Sequence, residues 1–204
     1  MEFIERSSIG IKDARTIYYA LSNMNAQLWN NFDMTRDFKI IYERRTDGKW
    51  GGWYSYGTVI FSTTIDGQLP IQNAYHEIGG HVIDFLQTNG RMGTQLKEEA
   101  IYDENGDFVT GVNEKGVYER TAGLGYIHEC KQTDTYCTYE QHPPGWAEGN
   151  TGYEDVADMA VNYFSGTIDL AKPAGRAINE YIGSWYRSLY FFSEADERLR
   201  RKVE

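Results

Sequence analysis

The sequence predicts an α+β domain. Three observations carry that expectation. Apolar residues recur at helical spacing near both ends of the chain, two runs of aromatic and β-branched residues lie between Phe38 and Thr63, and two further helical segments are separated by a long polar insert. At 204 residues the chain fits one domain, 1–204. Its N-terminal part, 1–87, holds a helix, strands and a motif helix. Its C-terminal part, 88–204, holds the insert, a glutamate-bearing helix and a closing helix.

The first helix starts at Asp13, a good N-cap residue, and carries Ile17, Leu21, Met24, Leu28 and Phe32 at spacings of three and four. Phe38–Glu43 and Trp53–Thr63 read as two neighbouring strands, with Gly51 and Gly52 punctuating between them. Pro70 suits the first turn of a helix over Ile71–Leu86. The polar stretch from Thr88 to about Tyr126 contains Asn105-Gly106, a strong hairpin signal. A Gly- and Pro-bearing loop from His142 leads into a helix over Tyr153–Phe164. The last helix starts near Pro173 and places Ile178, Ile182, Trp185, Leu189 and Phe192 on one face.

The formal net charge of −10 argues against a nucleic-acid partner, since phosphate binding draws on clustered Lys and Arg. The one dense basic run, Arg198 to Lys202, reads as a solvated helix end. No apolar run reaches the roughly 20 residues that a membrane helix needs, and the N-terminus lacks the apolar stretch of a signal peptide, so the default expectation is a cytoplasmic protein. Oligomeric state leaves no mark on the sequence.

The motif helix reads AYHEIGGHVIDF, with His76, Glu77 and His81. Zinc takes neutral imidazoles and a carboxylate tetrahedrally with one position left for water, and a carboxylate beside that water can accept its proton. The usual motif is HExxH, with histidines four apart on one helix face. Here they are five apart, which in an α-helix separates their directions by about 140°. Gly79 and Gly80 lie inside that turn and tolerate distorted backbone, so a π-bulge there can absorb the extra residue and realign His81.

The third ligand is expected from GYEDVADMAVNYF. On a helix Glu154 and Asp158 share a face, so Glu154 can bind the ion while Asp158 orients a ligand histidine from behind. Asp84, three residues beyond His81, is a further candidate for that supporting role.

The segments HEIGGHVIDF and YEDVADMAVNYF resemble the helix pair of gluzincin metallopeptidases of the anthrax lethal factor type, whose second helix has the form E-aromatic-aromatic-A-E. The longer HExxxH spacing is similar instead to that of the dipeptidyl peptidase III family. The likeness covers some 25 residues and the order of elements. It implies a zincin-like domain, a small twisted sheet packed on an active-site helix, with Glu154 at the ligand glutamate and Asp158 at the second acid. It also implies one Zn2+ held by His76, His81 and Glu154, with Glu77 as general base cleaving a peptide or protein substrate. Enzymes of the lethal factor type place an oxyanion-stabilising tyrosine about two turns before the ligand glutamate. Here that position is Ala147, beside Trp146, and Tyr153 and His142 are the candidates for that contact.

Other readings stand beside this one. A non-catalytic zincin-fold structural or binding protein, such as a component of a larger particle, would keep the same motif. Cys130 and Cys137, flanked by His128 and His142, read first as free or locally paired thiols, then as a disulfide, then as a second, structural metal site. Asp103–Glu114 has oxygens at several positions of a calcium loop, but Phe108 occupies the glycine position, and a plain hairpin is preferred. The segment WGGWYSYG reads as core packing or as a sheet edge lining a substrate groove, where an extended peptide can add as a strand.

Overall fold

A computed structural model describes residues 2–5, 10–28, 39–45, 51–55, 57–64, 71–120, 131–132, 137–138 and 151–200. The order is β1 (Glu2–Glu5), α1 (Ile11–Gln27), β2 (Lys39–Arg45), β3 (Gly51–Ser55), β4 (Thr58–Thr64), α2 (Ile71–Ala74) running directly into a π-helix (Tyr75–Gln87), and α3 (Arg91–Glu98). After these come β5 (Ile101–Tyr102), β6 (Phe108–Val112), β7 (Tyr118–Arg120), β8 (Lys131–Gln132), β9 (Cys137–Thr138), α4 (Thr151–Ser165) and α5 (Pro173–Arg200). The architecture is α+β.

Four strands form a mixed sheet in the order β1-β2-β4-β3. β1, β2 and β4 are parallel, and β3 pairs antiparallel with β4 at one end. α1 supplies the crossover that a parallel β1–β2 pair requires. The register sets Ile40 opposite Val59 and Tyr42 opposite Phe61, all four fully buried against α1 and the helices that carry the site. Hydrophobic burial of this kind is the main favourable term holding the sheet to its helices.

Several expected boundaries move. α1 starts at Ile11 behind Gly10, so Asp13 is no N-cap. It lies buried in the first turn instead, where its carboxylate accepts the Tyr42 hydroxyl. Ile17, Met24 and Leu28 are buried as the periodicity requires, while Phe32 falls outside the described residues. The run Trp53–Thr63 is two strands, not one: Gly57, at φ +76°, turns the chain between β3 and β4. Gly51 and Gly52 are part of β3, and the expected neighbour of β2 within Trp53–Thr63 is β4, with β1 on its other side.

The motif helix spans Ile71 to Gln87 as expected, with Pro70 outside the described residues. It ends at consecutive left-handed residues, Asn89 and Gly90, and α3 follows at once. The insert also holds a meander, β5-β6-β7, whose turns centre on Asn105-Gly106 and on Glu114-Lys115-Gly116. Asp103 Oδ1 accepts the Asn105 and Asp107 amides in the first turn, and Asn113 Oδ1 accepts those of Lys115 and Val117 in the second. The Asp103–Glu114 segment is therefore a hairpin. On α5, Ile178, Ile182, Tyr186 and Leu189 face the core with Trp185 half-buried; the Phe192 side chain is outside the described residues.

Candidate metal centre

The geometry starts with the helix that carries the motif. In a π-helix the backbone bonds run i→i+5, so residues five apart share a face as residues four apart do in an α-helix. The five-residue spacing of His76 and His81 thus fits a π register. The expectation of a local bulge at Gly79-Gly80 gives way to a π-helix of 13 residues. At its end Thr88 N–H is shared between Ile83 O at 3.3 Å and Asp84 O at 3.1 Å, a bifurcated return to the i→i+4 pattern.

The two glycines do more than relax the backbone. A Cβ on Gly80 would stand 2.3 Å from Ala157 Cα, and one on Gly79 would stand 2.8 Å from the Phe164 ring. Their missing side chains let α4 press directly on the π-helix, bringing the acidic face of α4 to the histidines.

His76 Nε2 lies 3.3 Å and His81 Nε2 3.5 Å from the same atom, Glu154 Oε2. Donor atoms of the three residues all lie within 4.8 Å of one another, and the group could hold a metal ion. A tetrahedral ion with bonds of about 2.0–2.1 Å to N and O donors separates its ligands by about 3.3–3.4 Å, close to these two N–O separations. Behind His76, Asp158 Oδ1 lies 3.1 Å from Nδ1, the partner that fixes a ligand imidazole with Nε2 toward an ion. His76, His81, Asp158 and Glu77 are buried.

Glu77 sits beside β3: a Cβ on Gly52 would meet its Cγ at 2.7 Å and Oε1 at 2.9 Å. Its Oε2 is buried with no hydrogen-bond partner among the described residues. Burial pushes its carboxyl above the usual carboxylate range, and the fields of His76 and His81 only partly offset that. Burial alone would depress His76, but the Asp158 and Glu154 carboxylates close to its two nitrogens hold its imidazolium well above the ordinary value. Burial alone would raise Glu154, but hydrogen bonds from the two imidazoles hold it well below. This is a carboxylate and two nitrogens with strong mutual attraction, a donor set suited to a divalent cation.

The other expected site residues are placed elsewhere. Asp84 is buried, but its oxygens accept the Thr88 hydroxyl (2.6 Å) and the Met92 and Gly93 amides (2.9 Å each), so it caps α3 instead of orienting an imidazole. Tyr153 directs its hydroxyl to Thr94 Oγ1 at 3.2 Å and packs its ring on Phe85 beneath Lys97 Nζ. His142, Cys130, His128, Trp146 and Ala147 lie outside the described residues, as does the Cys137 side chain.

Three contributors are not among the residues that the sequence assigns to the metal centre, although Gly52 and Tyr54 lie within WGGWYSYG, the segment expected as core packing or a groove edge. Tyr54 of β3 lies parallel to the His81 ring at 6.3 Å and continues into a stack with Phe85 at 5.3 Å. Asp155, next to Glu154, accepts the Thr110 and Tyr118 hydroxyls at 2.7 Å each and so ties the meander to the first turn of α4. Gly52 makes room for Glu77. An aromatic two residues after a Gly-Gly pair was the available signal for Tyr54. Nothing local in the sequence marks Asp155.

Comparison of the chain with protein-family models, with curated proteins and with solved structures finds no match.

Proposed function

We propose that the chain is a zinc-dependent peptidase of the gluzincin kind, with one Zn2+ held by His76, His81 and Glu154. The observation that carries this reading is the approach of both Nε2 atoms to one Glu154 oxygen from a π-helix that suits the HExxxH spacing. The resemblance of the two helix segments to the lethal factor type adds support, and the donor set is the one zinc takes in catalytic sites. A zinc ion held there supplies Lewis acidity, lowering the pKa of a coordinated water to about 7 and polarising a carbonyl oxygen.

Glu77 is the proton carrier. Among the described residues nothing hydrogen-bonds its buried Oε2, and its raised affinity for a proton suits a general base that returns it to the leaving amine. Asp158 holds His76 in one tautomer and orientation. β3, at the end of the sheet and in contact with Glu77 through Gly52, offers backbone groups to an extended peptide adding as a further strand.

The test pairs metal analysis with cleavage of an unbiased peptide library. Zinc near one equivalent and turnover in wild type, with Glu77→Gln keeping the metal and losing turnover by a factor of about 10²–10⁴, is the expected result. Protein purified without chelator that holds no zinc overturns the metal assignment. Bound zinc without cleavage of any peptide would leave a metal-stabilised binding or structural protein.

A further inference from the structure

The glycine turn between the two histidines is gripped from outside by a residue that belongs to neither metal-bearing helix. Tyr186 of α5 donates its hydroxyl to Gly79 O at 3.0 Å, a bond between fully enclosed groups 107 positions apart in the chain. Its ring is fixed by Phe164, stacked at 5.1 Å, and by Tyr163, edge-on at 5.2 Å. Phe164 is also the ring that a Cβ on Gly79 would strike. One aromatic cluster from α4 and α5 therefore packs on the Gly79 methylene and hydrogen-bonds its carbonyl.

We infer that Tyr186 is a positioning residue for the metal site: its hydroxyl, on the Gly79 carbonyl, holds the helix in the π register that directs His76 and His81 to one point. The inference rests on the metal reading above and concerns a different residue. Side chains that insert against a helix ladder are a recognised cause of local departure from i→i+4 bonding. In an α register the same two histidines would diverge by about 140°, so any loss of π register falls directly on the ligand pair. Burial raises the Tyr186 hydroxyl well above the ordinary phenol value, so it remains a donor throughout the working pH range.

The experiment compares wild type, Tyr186→Phe and Ile182→Val. Ile182 is a fully buried α5 residue one turn before Tyr186, and its truncation supplies a loss of core packing without touching the carbonyl. The readouts are the zinc dissociation constant by chelator competition and the visible spectrum of the Co2+-substituted protein, which reports ligand geometry. Tyr186→Phe is expected to weaken zinc binding about fivefold, the effect of one net hydrogen bond coupled to the site, and to alter the Co2+ bands. Ile182→Val is expected to lower thermal stability and leave both readouts at wild-type values. Wild-type affinity and spectrum in Tyr186→Phe overturn the inference while leaving the metal site standing, as does an equal loss of affinity in Ile182→Val. A wild-type protein that takes up no zinc overturns both.

Discussion

Asp158 stands directly behind His76, with Oδ1 3.1 Å from Nδ1 on one side of the imidazole while Nε2 faces Glu154 on the other. A carboxylate in that position fixes the tautomer and raises the basicity of a ligand histidine, and removing such a partner costs metal affinity about 10–100-fold. Asp158→Ala should therefore lose zinc affinity toward the upper end of that range. Asp158→Asn, which keeps the shape but not the charge, should lose about tenfold. Competition titration with a chromophoric chelator measures both, and affinity equal to wild type in the alanine variant would remove Asp158 from the site.

Gly80→Ala tests how closely the helices that carry His76, His81 and Glu154 must meet. The added Cβ would stand 2.3 Å from Ala157 Cα and 2.6 Å from its Cβ, distances that real atoms do not tolerate. Backbone, not a flexible side-chain tip, is in the way, so α4 has to move. Overpacking of this sort costs about 1–3 kcal/mol, and here it also carries Glu154 away from the histidines. The variant should unfold at lower urea concentration and bind zinc at least tenfold more weakly; a variant stable and fully zinc-competent would contradict the packing.

The meander contributes through Asp155. Thr110→Val replaces a fully buried hydroxyl that donates to Asp155 Oδ2 with a methyl group of similar volume. The carboxylate keeps Tyr118 but loses one buried charge-assisted bond, a cost of about 1.5–3 kcal/mol. Urea unfolding of the zinc-free protein isolates this cost from the stabilisation that a bound ion adds. A change below about 0.5 kcal/mol would mean that this bond does little to hold the start of α4.

The donors were legible in the sequence because their chemistry is local. His76, Glu77 and His81 form a motif, and Glu154 with Asp158 follows from helical spacing alone. The helices α1, α4 and α5 were legible for the same reason, since their apolar faces repeat every three or four residues. α3 was not, because its N-terminus is capped by Asp84 from the preceding helix, a contact across eight or nine residues that no local pattern announces. The division of β3 from β4 was hidden because aromatic and β-branched residues continue on both sides of Gly57. The sequence marks the glycine pair as backbone that tolerates distortion, whereas the contacts of Gly79 and Gly80 with Phe164 and Ala157 are long-range packing that only the folded chain reveals.

Metal uptake should release a proton, and His76 is its source. In the metal-free fold burial opposes the imidazolium, but the close Asp158 and Glu154 carboxylates more than compensate, which holds His76 well above its ordinary value and favours its protonated form. The stabilisation this ion pair gives the metal-free fold is complete below the ordinary imidazole value and fades as pH rises through the raised folded value. Glu154 has the opposite sign: held below its ordinary value, it gives stability that is present above about pH 4.5 and lost only as the solution becomes strongly acid. Zinc takes neutral imidazole, so binding at pH 7 displaces the His76 proton, and affinity rises with pH until His76 titrates without metal. Calorimetric titrations in buffers of different ionisation enthalpy should show about one proton released at pH 7. In Asp158→Asn, where the support for the imidazolium is weakened, that release should fall, and an unchanged or absent release in wild type and variant alike would exclude His76 as the displaced acid.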